Sequence, residues 1–404
     1  MSVQPAAVAA PPRFALRMWA FFAGYFVFSG VTQPFFPVWL QARGLSEVEI
    51  ANCIALPALL RVLLTPAAGI FADRAPHRRT AAIVFTLPAA VIFLFAWRAQ
   101  GYVTLLLVTG AVFTLWALAL PVAEALALTG VRRFGLDYGR MRLGGSVAFI
   151  VTNLGSGALL SLLDVGAIYW FMLATLAIAT AVAFALPVTP TAVRALDDRM
   201  RPDRPSPRKL LAQPAFLALL FVGGLIQASH AVLYSFGSIH WQGLGFNRFD
   251  IGIFWAVGVA CEILVFSQSG VVIRTFGPLG ILVLGALAAI LRWAGYAIDP
   301  GFLGFAVLQG LHGLTFGATY LGTQHAIARL IPEELTASAQ GVYSMVAGLL
   351  LAGATFLAGP LYTALGGHAY VVMIAFPCLA LVILAVYRSI LRMPSQPHRA
   401  RSGG

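Results

Sequence analysis

Five ionisable side chains stand in otherwise apolar stretches. Glu124 lies in ALPVAEALALTG and Arg142 in YGRMRLGGS, equally far on either side of Arg133. Glu262 lies in AVGVACEILVF, Arg292 in LAAILRWAGY and His312 in LQGLHGLTFG. A carboxylate beside a guanidinium can hold a polar solute through charge-assisted hydrogen bonds. An acid, a base and an imidazole on successive apolar segments can relay a proton. Arg61 adds a cation suited to an anionic group, and His230, in QASHAVLY, adds an imidazole. The bland alternatives are an ion pair that only ties two helices together and a histidine that only bonds a neighbouring helix. An ionisable group at mid-bilayer costs about 2.5–3.5 kcal/mol, and a desolvated ion pair is weak evidence for stability. That cost points to solute handling.

The elements that must position these groups are membrane helices. The chain has 404 residues, of which 60% are hydrophobic and only 10% charged. Its mean hydropathy is +0.88, and a soluble domain carries about 25% charged residues. Apolar runs of the roughly 20 residues that cross a bilayer consume nearly the whole sequence. The sequence therefore predicts an all-α integral membrane protein of twelve spans, near 15–41, 46–72, 78–97, 101–131, 139–163 and 165–187, then 213–241, 247–272, 277–297, 301–329, 335–363 and 367–391. Breakers such as RGLS, RAPHRR, GLDYG and FGPLG mark the joints.

The stretch PTAVRALDDRMRPDRPSPRKLLAQP is the longest polar one and divides the chain six plus six. The expected organisation is a tail at 1–14, a six-helix bundle at 15–189, a solvated linker at 190–212, a second bundle at 213–391 and a tail at 392–404. A basic link between helices two and three is echoed by Arg274 between eight and nine. Of the 26 Lys and Arg residues, only Arg43, Arg98 and Arg248 fall in the links of the opposite side, and only Arg61 and Arg292 deep within spans. The net charge of +12 is thus a positive-inside signature. It places both termini in the cytoplasm and makes a nucleic-acid partner unnecessary.

Helices four and five form a hairpin turning near Arg132–Tyr138. At about 1.5 Å per residue, Glu124 and Arg142 lie at similar depth within about 15 Å of that turn, so the two side chains are expected to meet. His325 falls near a helix end and reads as structural. Cys53, Cys261 and Cys378 form no CxxC pair and read as buried small hydrophobes, with no disulfide or metal site. No HExxH, GxSxG or Walker loop is present, so neither an enzyme nor a cofactor is expected. The linker is too short for a sensor domain.

The stretch GIFADRAPHRR resembles the loop between helices two and three of the major facilitator superfamily, G-x-x-x-D-R-x-G-R-R. Gly69, Asp73, Arg74 and Arg78 match, and Pro76 stands where a second Gly is usual. Within that superfamily, FSGVTQPFFPVWLQARGLSEVEI, YGRMRLGGSVAFI, CEILVF, LRWAGY and LHGLTFG resemble the phenylpropionate permease-type branch. The pattern is also similar to lactose permease and the oligosaccharide/proton symporters. The resemblance implies a secondary transporter working by alternating access, with Gly69, Asp73, Arg74 and Arg78 as its conformational motif. It implies substrate binding by Glu124, Arg142, Arg61 and His230, and proton coupling through Glu262, Arg292 and His312. Where lactose permease carries a proton-bearing Glu one turn after the His, this chain has Thr315. The implied partners are a small organic solute, favoured as an aromatic acid such as phenylpropionate and alternatively a sugar or nucleoside, together with protons and membrane lipid. A functional monomer in a bacterial-type inner membrane is expected.

Overall fold

A computed structural model describes residues 10–189, 208–332 and 335–387. Among these residues the chain is helical throughout. The first bundle comprises α1 (Phe14–Ala42), α2 (Glu47–Arg74), α3 (Arg78–Leu94), α4 (Tyr102–Phe134), α5 (Tyr138–Ser161) and α6 (Ala167–Phe184). The second comprises α7 (Pro214–Gly243), α8 (Arg248–Ser267), α9 (Ser269–Tyr296), α10 (Gly301–Leu330), α11 (Thr336–Leu365) and α12, built from Ala369–Met373 and Ala375–Val386. A helical turn, Arg208–Leu211, precedes α7. Most of the linker and the end of the chain lie outside the described residues.

Eleven continuous segments are long and apolar enough to cross a membrane. The last of them, Ser338–Val386, has 49 residues. A straight helix of that length would extend about 70 Å, more than twice the roughly 30 Å hydrocarbon core. The chain interrupts it at Gly366, whose φ of 54° lies in the left-handed region that favours glycine. The segment thus contributes two spans, making twelve.

Both bundles open their second helix in the same way. At Gly44–Leu45–Ser46 the Ser46 side chain and Glu49 form a capping box at the start of α2. At Gly245–Phe246–Asn247, Asn247 and Asp250 form the same box at the start of α8. Each box satisfies helix N–H groups that would otherwise be orphaned, and the repetition is the local trace of a duplicated unit.

Besides α12, interrupted at Ile374, three helices depart from uniform geometry. Ser229 and His230 interrupt α7 between its Pro214–Ala228 and Ala231–Gly243 parts. A π-helical turn, Gly313–Ala318, interrupts α10 immediately after His312. The expected joint at FGPLG is instead a kink within α9 at Gly277, ahead of Pro278. Prolines inside other helices, such as Pro34, Pro57 and Pro121, are tolerated because neighbouring helices re-satisfy the freed groups.

The two bundles meet along α2 with α11 and α5 with α8. At the ends holding few arginines the approach is very close. A Cβ on Gly157 would lie 2.7 Å from the Arg248 carbonyl oxygen, and one on Gly252 would lie 2.6 Å from that of Asn153. Only residues without a side chain permit this crossing. Arg248 reinforces it by donating to the carbonyls of Leu160 and Leu163 at the end of α5. At the arginine-rich end, by contrast, Gly69 of α2 and Gly341 of α11 each face open space. The halves are thus in tight contact at the end holding few arginines, and positive-inside counting assigns the arginine-rich end to the cytoplasm.

Candidate functional site

A cavity of about 460 Å³ lies between the bundles. From the first bundle it is lined by Phe26 and Gln33 of α1, Arg61 of α2, and Arg142, Ser146 and Phe149 of α5. From the second it receives Tyr234, Trp255, Glu262, Arg292, His312 and Phe316, among others. Three cations and one carboxylate therefore face one space.

Arg292 is wholly buried. Its Nη1 donates to Nδ1 of His312 and to the Thr315 hydroxyl, both at 3.1 Å, and its Nη2 donates to Oε1 of Gln309. Its Nε–H has no hydrogen-bond partner among the described residues. The guanidinium also lies over the Trp293 ring, 4.9 Å from the centroid. Every bonded partner is neutral, so the charge is held in place without being neutralised.

Those bonds fix the imidazole tautomers. Nδ1 of His312 faces an Arg292 N–H and must accept, so the ring proton of His312 sits on Nε2. Nδ1 of His230 lies 3.2 and 3.1 Å from the carbonyl oxygens of Ile226 and Gln227, so it must donate. Its Nε2, 3.0 Å from the Thr315 hydroxyl, then accepts from that hydroxyl. Thr315 thereby links His230 to Arg292 from the position where lactose permease carries an acid. His230 is wholly buried and lies off the cavity wall, joined through Thr315 to Arg292, which lines it. The break in α7 belongs to the same assembly, since Trp293 donates to Ser229 Oγ at 3.0 Å.

Glu262 is seated by the π turn of α10. Gly317 packs against its side chain, where a Cβ would come within 3.2 Å of Glu262 Cγ, and Gly313 approaches the Cys261 carbonyl. A π turn shifts the register of a helix face and recurs at functional sites. The Glu262 carboxylate forms no hydrogen bond or ion pair among the described residues, although Arg142 acts on it electrostatically.

On the opposite wall the expected meeting of Glu124 and Arg142 does not occur. They form no ion pair among the described residues, and Glu124 does not line the cavity. The cause is the packing order. α5 lies principally against α1 rather than against α4, so Arg142 reaches the α1 aromatics, 4.1 Å from the Phe26 centroid and 5.4 Å from that of Phe22. Glu124 is half-buried, with Tyr25, Tyr138 and Tyr320 within electrostatic reach. Arg61 lines the cavity with an exposed side chain.

In the loop motif, Arg78 pairs with Asp73 at 3.2 Å and donates to the Thr129 hydroxyl and the Ala125 carbonyl of α4. Arg74 closes α2 as the basic residue of its last turn. His325 is exposed. Of the cysteines only Cys53 is buried, which corrects the reading of all three as core residues: Cys378 faces outward because membrane helices present apolar groups to lipid. Among the described residues no cluster of metal-binding side chains occurs.

Two pseudo-equivalent helical bundles around a central polar cavity have the architecture of a multi-pass membrane transporter. The MFS_1-like family model matches residues 15–373, and the chain belongs to this family, within the major facilitator superfamily of secondary transporters. It is 30% identical to the "Probable 3-phenylpropionic acid transporter" of Escherichia coli strain K12, over 88% of this chain and 94% of that one. It is 27% identical to the maltose permease of Geobacillus stearothermophilus, over 81% and 82% of the two chains. A crystal structure of the nucleoside transporter NupG superposes with a TM-score of 0.75 at 16% identity, covering 94% of this chain and 99% of that one. At that identity the likeness concerns the fold.

Proposed function

We propose that the protein imports a small aromatic monocarboxylate, of the phenylpropionate class, together with a proton across a bacterial inner membrane. The observation that carries this reading is the imbalance of charge in the cavity. Arg61, Arg142 and Arg292 face Glu262 alone, inside walls that include Phe26, Phe149, Tyr234, Trp255 and Phe316. A buried cation without a counter-ion is costly, and an organic anion supplies the missing charge. The aromatic walls suit a ring. The similarity to a protein named for 3-phenylpropionic acid points the same way.

In this reading the Arg142 guanidinium meets the substrate carboxylate from the first bundle, while Arg61 adds positive potential. Arg292 holds that potential at the opposite wall. Glu262 takes the coupled proton, with His312 as its neighbour in the relay. One monoanion moving with one proton is electroneutral, so the halves can rock together without carrying net charge. Opening the outer side requires the Gly157–Gly252 crossing to separate and Arg248 to release the end of α5.

The test is thermal stabilisation of purified protein by 3-phenylpropionate, maltose and uridine, followed by proton-driven uptake into proteoliposomes. The expected result is stabilisation by the acid alone and accumulation that rises with an inward proton gradient. Stabilisation by maltose or uridine without the acid would overturn the substrate class. Uptake indifferent to the gradient would overturn the coupling.

A further inference from the structure

A second cavity of about 190 Å³ adjoins the first. Gln33 and Tyr234 line both, so they form the neck between them. The two spaces differ sharply in chemistry. No charged residue lines the smaller one, whose walls include Phe36, Ile54, Phe113, Trp116 and Leu351. Its threonines have their hydroxyl protons engaged within their own helices: Thr32 donates to the Phe28 carbonyl at 2.9 Å, and Thr355 to that of Leu351 at 2.8 Å. The rings of Phe36 and Phe113 lie 4.5 Å apart, centroid to centroid, and that of Trp116 lies 6.5 Å from Phe113.

The geometry points to a divided binding site in which the larger cavity holds the carboxylate of an arylalkanoate and the smaller one holds its ring. This inference rests on the proposed aromatic-acid function and specifies how such a substrate is selected. An apolar cavity of about 150 Å³ accepts one benzene molecule. The smaller space, at about 190 Å³, is therefore matched to a single six-membered ring better than to a fused pair. A sugar there would meet few partners for its hydroxyls (Ser29, Gln33, Tyr234 and the Trp116 indole N–H, unpartnered among the described residues), which leaves most of their hydrogen bonds unreplaced and is unfavourable. The neck separates the poles, so an acid whose ring is attached directly to the carboxyl cannot satisfy both compartments. A short alkyl spacer lets it do so. Tyr234 is fixed for this role by stacking between Trp255 and His230, at 6.1 and 5.5 Å.

The experiment compares binding of propionate, benzoate, 3-phenylpropionate and 3-(2-naphthyl)propionate by isothermal titration to wild type, Ala58→Leu and Phe113→Ala. Ala58 lines the small cavity from α2, and leucine there fills it. Wild type is expected to prefer 3-phenylpropionate over both benzoate and the naphthyl acid. Ala58→Leu should weaken 3-phenylpropionate at least tenfold while leaving the weak binding of propionate unchanged. Phe113→Ala should bring naphthyl-acid affinity up to or above that of the phenyl acid. If wild type binds 3-phenylpropionate and both variants bind the whole series as wild type does, the divided site is wrong while the function stands. Should wild type bind none of the acids, the function itself falls. If Ala58→Leu does not fold, Phe113→Ala decides alone, and unchanged ring-size selectivity in that variant overturns the inference.

Discussion

Arg142 and Arg292 look across one cavity from opposite bundles, and they are held in opposite ways. Arg292 is wholly buried and hydrogen-bonded to His312, Thr315 and Gln309. Arg142 is half-buried and rests on the faces of Phe26 and Phe22. A guanidinium locked by hydrogen bonds loses little further freedom when a ligand arrives, which is preorganisation. One held by aromatic faces retains its hydrogen-bond donors and can turn towards a ligand, because a cation–π contact is worth only about 0.5–1 kcal/mol at exposed sites. The second bundle thus supplies a fixed wall and the first a mobile hand. In the transport cycle we propose, the substrate draws Arg142 to the fixed wall and stabilises the closed state.

The sharpest way to break the comparison is Arg292→Met. Hydrogen bonds to a charged group are worth about 1.5–3 kcal/mol each, so 3-phenylpropionate binding should fall by about 100-fold. Stability should fall only modestly, because the unpaired acceptors left on His312 and Gln309, costing about 1–3 kcal/mol each, are offset by removal of a buried charge that has no counter-ion. Binding by titration and unfolding by differential scanning fluorimetry separate the two. Binding at the wild-type level would end the role of Arg292 as the fixed wall.

Glu262→Gln tests the sole carboxylate of that wall. Removing the proton site should abolish gradient-driven accumulation in proteoliposomes, while exchange of labelled for unlabelled substrate continues. Accumulation at the wild-type level would exclude Glu262 from coupling. A smaller effect is expected at Arg142. Arg142→Lys retains the charge but loses the planar fork that pairs with a carboxylate, so affinity should fall about tenfold with stability unchanged. Equal losses in Arg142→Lys and Arg142→Ala would show that the fork, and not the charge, carries the contact.

Much of this arrangement is legible in the sequence, and what is not has physical causes. Helix number and the six-plus-six division follow from apolar run lengths, since a bilayer sets the length of every span. Glu262, Arg292 and His312 converge because each stands alone in an apolar helix and must face the interior. The breaks at Ser229–His230 and Gly313–Ala318 are not legible. QASHAV and HGLTFG contain no proline, and the bonds from Trp293 to Ser229 and from Arg292 to Thr315 that accompany these breaks come from other helices. The Glu124–Arg142 pairing fails for a related reason. Depth along a hairpin can be counted, but which neighbour α5 packs against is decided by the whole bundle. The repeat is also legible locally, in the Gly-Leu-Ser and Gly-Phe-Asn caps that start α2 and α8.

Glu124 offers the finest test of the comparison. It lies on the loose bundle, off the cavity wall, with Tyr138 of its own bundle and Tyr320 of the other within electrostatic reach. Its partnership with Arg142 is electrostatic and without a direct bond. If the mobile hand is steered by this distant carboxylate, Glu124→Gln frees Arg142 for the substrate and affinity changes by no more than about threefold, well under the 1.4 kcal/mol of a tenfold change. If instead Glu124 reaches the cavity in another conformation and binds solute there, as the likeness to oligosaccharide symporters implies, the same substitution abolishes transport. Measuring equilibrium binding and uptake side by side distinguishes these cases. Preserved binding with lost uptake would place Glu124 in a later state of the cycle, whereas loss of both would return it to the binding site and remove the asymmetry between the two walls.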